Sequence, residues 1–142
     1  MPKKIHILYA DDDAMMRQIV GGKLAKNGFE VIYASDGNEA RDMIRRLQPE
    51  LALLDYRMPI FDGLTLARYL KTDELTKHIP LILLTNEDIS VEGQKMWQEL
   101  GLDGYVHKSS DFSVFYQKIV EVLTKSGYEI PSPQIPGGPA NE

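Results

Sequence analysis

Short apolar runs alternate along the chain with longer stretches whose apolar residues recur every three or four positions. Residues 5–10, 30–34, 51–54, 81–84 and 104–107 read as β-strands. The third and fourth, Leu-Ala-Leu-Leu and Leu-Ile-Leu-Leu, are apolar without alternation, the pattern of strands buried on both faces of a parallel sheet. Between them lie helical patterns. Residues 14–27 place Met15, Ile19 and Leu24 on an expected core face and stop at Gly28. Asp36, with Glu39 three residues on, opens a second helix that Pro49 ends. Residues 64–71 and 91–100 form the third and fourth, the latter stopped by Gly101. In the fifth, Phe112, Phe115, Tyr116, Ile119, Val122 and Leu123 make a stripe that packs on a core.

Five strand–helix units in series imply a parallel sheet, because each crossover helix returns the chain to the same sheet end. The expected fold is α/β: a flavodoxin-like, doubly wound, five-stranded parallel sheet in order 2-1-3-4-5 with five helices. A chain of 142 residues suits one domain. That domain is expected over residues 1–127. Residues 128–142 carry four prolines and Gly137-Gly138, and are expected to be an extended or disordered tail.

Composition narrows the function. Without cysteine there is no disulfide or thiolate metal site. A net charge of −5 with no Lys/Arg stripe argues against direct nucleic-acid binding. The apolar run at the N-terminus is too short for a signal peptide or a membrane span, so a cytoplasmic location without membrane insertion is expected.

In a doubly wound sheet, ligands bind beyond the carboxyl ends of the strands. The first strand ends in Asp11-Asp12-Asp13, the third in Asp55, the fourth in Thr85 and the fifth in Lys108. Any one of these has an ordinary explanation: an Asp as a helix cap or turn, a Thr as a strand former, a Lys as a solvated surface charge. Together they put acids, a hydroxyl and an ammonium on one rim. Crowded carboxylates call for a cation, and with no His or Cys ligand at hand a hard, oxygen-binding ion such as Mg2+ is the natural choice. Lys108 and Thr85 suit phosphate oxygens, and a carboxylate among them can attack phosphorus.

Ile7-Leu8-Tyr9-Ala10-Asp11-Asp12-Asp13, Leu53-Leu54-Asp55-Tyr56-Arg57-Met58-Pro59-Ile60-Phe61-Asp62-Gly63, Leu83-Leu84-Thr85-Asn86 and Gly104-Tyr105-Val106-His107-Lys108 stand in the order and spacing of a known family. Over roughly residues 4–125 the chain resembles the receiver domain of two-component response regulators. The resemblance implies that Asp55 is the phosphoacceptor, and that Asp11, Asp12, Asp55 and the Arg57 backbone carbonyl hold Mg2+, Asp12 directly. Thr85, Asn86 and Lys108 would bind the phosphoryl group, while Thr85 and Tyr105 would act as the switch. It further implies a sensor histidine kinase or phosphotransfer protein as donor, and a downstream protein target on the face of the fourth helix, fifth strand and fifth helix. Such a chain is a signalling receiver rather than an enzyme, and with no output domain after residue 127 its readout is expected at this surface or the tail.

Two positions depart from the family pattern. Ser109 stands where proline, in a cis bond, usually follows the lysine; a non-proline cis bond costs about 2.5–4 kcal/mol, so a trans bond is expected. Asn86 replaces a small residue, and Arg57 with Glu87 could pair as a gate over Asp55. Trp97 is equally a partner contact or a core residue. His6, His78 and His107 lack a second ligand at metal spacing. Against the switch stand two other readings. One is a receiver-like scaffold that no longer phosphorylates. The other is a small-molecule phosphatase, disfavoured by Arg57 where such enzymes carry a second Asp.

Overall fold

The computed structural model describes residues 4–86 and 89–132. Within them lie five strands, β1 (His6–Ala10), β2 (Glu30–Ala34), β3 (Leu51–Asp55), β4 (Leu81–Thr85) and β5 (Gly104–His107), and five helices, α1 (Ala14–Lys26), α2 (Gly37–Leu47), α3 (Gly63–Thr72), α4 (Val91–Leu100) and α5 (Phe112–Lys125). All strand pairs are parallel and the order is β2-β1-β3-β4-β5. The expected doubly wound, flavodoxin-like sheet is therefore the one observed. β3 and β4 are buried at every position, as their unalternating apolar runs require.

The sheet separates two cores. Ile7, Tyr9, Leu53, Ile82 and Leu84 point to one face, under Val20 and Leu24 of α1 and Phe115, Ile119 and Val122 of α5. Leu8, Ala10, Leu54, Leu81 and Leu83 point to the other, under Ala40 and Ile44 of α2, Leu66 and Leu70 of α3 and Trp97 of α4. The α5 stripe packs as its spacing predicts, with Phe112 and Tyr116 at its partly buried margin.

The expected α1 face needs correction. Met15 and Ile19 are 68% and 47% exposed, whereas Val20, Gly21 and Leu24 are buried and Met16 packs against the core. Leu24 follows Ile19 by five residues, about 140° around a helix, so the expected trio joined two different stripes. The core stripe is Met16, Val20 and Leu24, one residue out of register with Met15 and Ile19.

After α5, Gly127 adopts φ 90° and the Tyr128 N–H bonds back to the Leu123 carbonyl. Ile130 then packs against the α1–α5 core. A Cβ at Gly28 (φ +93°) would meet the Ser132 carbonyl oxygen at 2.6 Å. Residues 128–132 of the expected tail therefore lie on the body, and residues 133–142 fall outside the described residues.

Candidate functional site

Backbone bonds that continue the sheet ladders deliver the polar side chains to the carboxyl end. The Asp11 N–H bonds to the Ala34 carbonyl at 3.0 Å, extending β1 alongside β2. The Lys108 N–H bonds to the Thr85 carbonyl at 2.7 Å, extending β5 alongside β4. Of the three acids after β1, Asp13 caps α1 by accepting from the Met15 and Met16 N–H groups, at 2.9 and 3.3 Å. Asp11 is wholly buried, and Asp12 stays exposed at the rim.

The loop after β3 explains its own sequence. Asp62 caps α3 by accepting from the Thr65 N–H at 2.8 Å. Gly63 lies so close beneath Asp55 that a Cβ would collide with the Asp55 carbonyl oxygen, so no other residue fits without moving backbone. Between Pro59 and Gly63, Ile60 holds φ 77° while the Phe61 N–H reaches back to the Pro59 carbonyl at 3.0 Å. This tight turn, a γ-turn by its bond, bends the chain sharply before α3 begins.

Asp11, Asp12 and Asp55 each offer a carboxylate oxygen within 4.8 Å of the others. Lys108 Nζ lies 2.8 Å from Asp11 Oδ2 and 3.2 Å from Asp55 Oδ2, bridging the two buried acids. The other oxygen of Asp11 accepts from the Asp13 N–H at 2.9 Å, and that of Asp55 accepts from the Arg57 N–H at 3.3 Å. Thr85 is buried beside them at the end of β4. Burial first, then the charge of Asp11, pushes the Asp55 carboxyl up to about 7, and Lys108 only partly offsets this. Burial alone would lower the Lys108 ammonium, but its hydrogen bond to Asp11 and the charges of Asp11 and Asp55 win and hold it above the ordinary lysine value. An all-oxygen donor set with net negative charge fits a hard divalent cation.

One residue in this pocket escaped the sequence reading. Tyr9, fully buried in β1, donates from its hydroxyl to Asp11 Oδ2 at 2.8 Å. The available signal was its position, since residues two apart on a strand share a face.

The remaining candidates sit at the edge. Asn86 is exposed at the mouth. The Arg57 guanidinium lies 5.5 Å from the centre of the Tyr56 ring, and Glu87, its expected gate partner, lies outside the described residues. Tyr105 is 53% exposed and meets Trp97 edge to face at 5.2 Å. Trp97 resolves toward the core: it is buried and donates from Nε1 to the Leu102 carbonyl at 3.1 Å. These two rings, with Ile89, Gln94, Gln98 and Leu102, line a surface hollow of about 260 Å3. No cis peptide occurs among the described residues, so Lys108–Ser109 is trans, as Ser109 predicts. Ser109 Oγ instead sits 2.7 Å from His107 Nδ1, which gives that histidine a turn-closing role.

The arrangement agrees with comparisons to known proteins. Residues 7–120 match the response regulator receiver domain family. The chain is 36% identical over 124 residues to the phosphate regulon transcriptional regulatory protein PhoB of Pseudomonas aeruginosa, covering 85% of this chain and 52% of that protein. It is 33% identical over 128 residues to the transcriptional regulatory protein CseB of Streptomyces avermitilis, covering 90% and 53%. It thus spans about half the length of these curated relatives. Among solved structures, a CheY-like receiver domain protein from Methanospirillum hungatei superimposes with a TM-score of 0.82 at 26% identity, covering 88% of this chain and 98% of that one. The chemotaxis response regulator CheY4 of Vibrio cholerae gives a TM-score of 0.77 at 25% identity, covering 84% and 99%. The chain belongs to the two-component response regulator receiver family, with a CheY-like fold.

Proposed function

We propose that this domain is a phosphorylation switch with Asp55 as the phosphoacceptor. The observation that carries the reading is Lys108 held between buried Asp11 and Asp55, at a sheet end where carboxylates outnumber the cation. In its ionised form, Asp55 uses an oxygen lone pair to attack the phosphorus of a donor phosphohistidine. The P–O bond forms as the P–N bond breaks, and the departing imidazole keeps the electron pair. Lys108 then exchanges its contact with Asp55 for a phosphoryl oxygen, Thr85 donates its hydroxyl to another, and Asn86 contacts the group from the mouth. Mg2+, held by Asp12, Asp55 and the Arg57 carbonyl with Asp11 beside it, would neutralise charge on the phosphoryl oxygens.

The donor is a sensor histidine kinase or phosphotransfer protein. The readout is a protein target on the α4–β5–α5 face, where the exposed Tyr105 borders the hollow beside Trp97. Inward rotation of Tyr105 would fill that hollow and change the surface a partner meets. Receiver domains signal rather than turn over a substrate, and no described helix is long and apolar enough to cross a membrane. A cytoplasmic domain over residues 1–127, with 128–142 as its appended tail, completes the proposal.

Incubation with acetyl phosphate and Mg2+ tests it. Intact mass should rise by one phosphoryl group, and Asp55→Asn should abolish the rise. No mass increase in the parent chain under these conditions would favour a scaffold that has lost phosphorylation.

A further inference from the structure

We propose that the buried Tyr9 hydroxyl is a positioning group for the cation and phosphoryl site, acting through Asp11. The inference rests on the switch reading above and extends it to a residue with no place in that chemistry so far.

Tyr9 lies in β1, an interior strand flanked by β2 and β3. Its ring packs in the α1–α5 core, 6.4 Å from the ring of Tyr33. Apolar packing accounts for the ring but not for the hydroxyl, because phenylalanine would fill the same space without a polar atom to satisfy. Among the described residues the hydroxyl bonds to Asp11 Oδ2 at 2.8 Å, and that same oxygen is 2.8 Å from Lys108 Nζ. An ionised carboxylate only accepts, so Tyr9 is the donor. A continuous chain results, from Tyr9 through Asp11 and Lys108 to Asp55 Oδ2 at 3.2 Å.

Asp11 is therefore held on three sides, by Tyr9, Lys108 and the Asp13 N–H. Lys108 has to release Asp55 when a phosphoryl group arrives, and the Asp11 carboxylate is the anchor about which it turns. With the Tyr9 hydroxyl gone, Asp11 Oδ2 would lose its neutral donor and keep the Lys108 ammonium. The carboxylate would then follow the ammonium instead of keeping its orientation toward the cation. Hydrogen-bond partners behind a metal-binding group typically change affinity by roughly 10–100-fold. Asp11 stands behind Asp12 in the proposed set, which puts the expected effect near the lower end.

Calorimetric titration of Mg2+ into the parent and Tyr9→Phe chains, with no phosphoryl donor present, tests the proposal. The expected result is binding weakened about 10-fold in Tyr9→Phe, and no further weakening when the same change is made in an Asp11→Asn background. In the parent, the 13C resonance of the Tyr9 ring carbon bearing the hydroxyl should move during the titration with the same midpoint as the heat signal. A Tyr9→Phe chain that binds Mg2+ within twofold of the parent would overturn the inference. So would an equal loss in the Asp11→Asn background, or a Tyr9 resonance that stays still while heat is released. A parent chain that binds no Mg2+ would overturn the cation reading itself along with this one, whereas parent binding with an indifferent variant overturns this inference alone.

Discussion

Buried acids occur at both ends of this sheet, and they are handled in opposite ways. At the amino end, Glu50 accepts from the His6 N–H at 2.6 Å and lies 3.1 Å from its ring nitrogen. The exposed Asp103 there accepts from the Leu81 N–H at 2.8 Å, with Lys71 at 3.9 Å. Each acid has its own local donor, and the result is a closed joint between strands. At the carboxyl end, among the described residues, the Lys108 ammonium is shared by the Asp11 and Asp55 carboxylates with Asp12 beside them, while the Arg17 guanidinium donates to the Asp11 carbonyl and not to a carboxylate. Charge left uncompensated in a buried place is costly, so a fold keeps it only where something else arrives to neutralise it. Imbalance, more than burial, separates the site from the scaffold.

The comparison can be broken by removing charges at each end. Lys108→Met should be the most damaging, because it takes away the ammonium that the buried Asp11 and Asp55 carboxylates share. A loss of about 3–5 kcal/mol is expected in urea unfolding at pH 8 without metal, and Mg2+ should restore part of it. A loss as small as that of an exposed ion pair would show that the two acids are not strained by each other.

Asp55→Asn should act in the opposite direction. The folded-state value for Asp55 is raised to about 7, above its ordinary 3.8. The folded chain thus holds a proton that the unfolded chain has lost, and stability falls as pH rises through that window. Without metal, Asp55→Asn should therefore stabilise the protein by roughly 1–3 kcal/mol above pH 7, with the gain shrinking toward pH 4. A gain that grows on acidification would contradict the assignment.

The smallest effect belongs to the amino end. Glu50→Gln keeps the shape and an acceptor oxygen, and should cost only about 1 kcal/mol in thermal or urea unfolding. Mg2+ affinity should not change. A matching drop in Mg2+ affinity would mean that the two ends are coupled through the sheet.

Much of this was legible in the sequence because strands announce themselves by what they bury. The unalternating runs at 51–54 and 81–84 mark central parallel strands, and the residues after them become the rim of the site. Helix faces were harder. Met15 and Leu24 are both apolar, and only packing against the sheet decides that Val20 belongs with Leu24. Trp97 has the same ambiguity, settled by its indole bond to the Leu102 carbonyl. Among the three acids after β1, composition alone cannot separate the cap, Asp13, from the buried Asp11. Tyr9 was silent because a tyrosine in a strand is ordinary. Its hydroxyl gains meaning only from the carboxylate oxygen it shares with Lys108.

The central claim is that the unbalanced end of the sheet takes a phosphoryl group on Asp55. Borohydride reduction of the chain after treatment with acetyl phosphate and Mg2+ tests this most directly, since it converts an aspartyl phosphate to homoserine. Peptide mass spectrometry should then find homoserine at residue 55, and only when Mg2+ was present. Homoserine at Asp11, Asp12 or another acid, or none in a chain shown to be folded, would contradict the account.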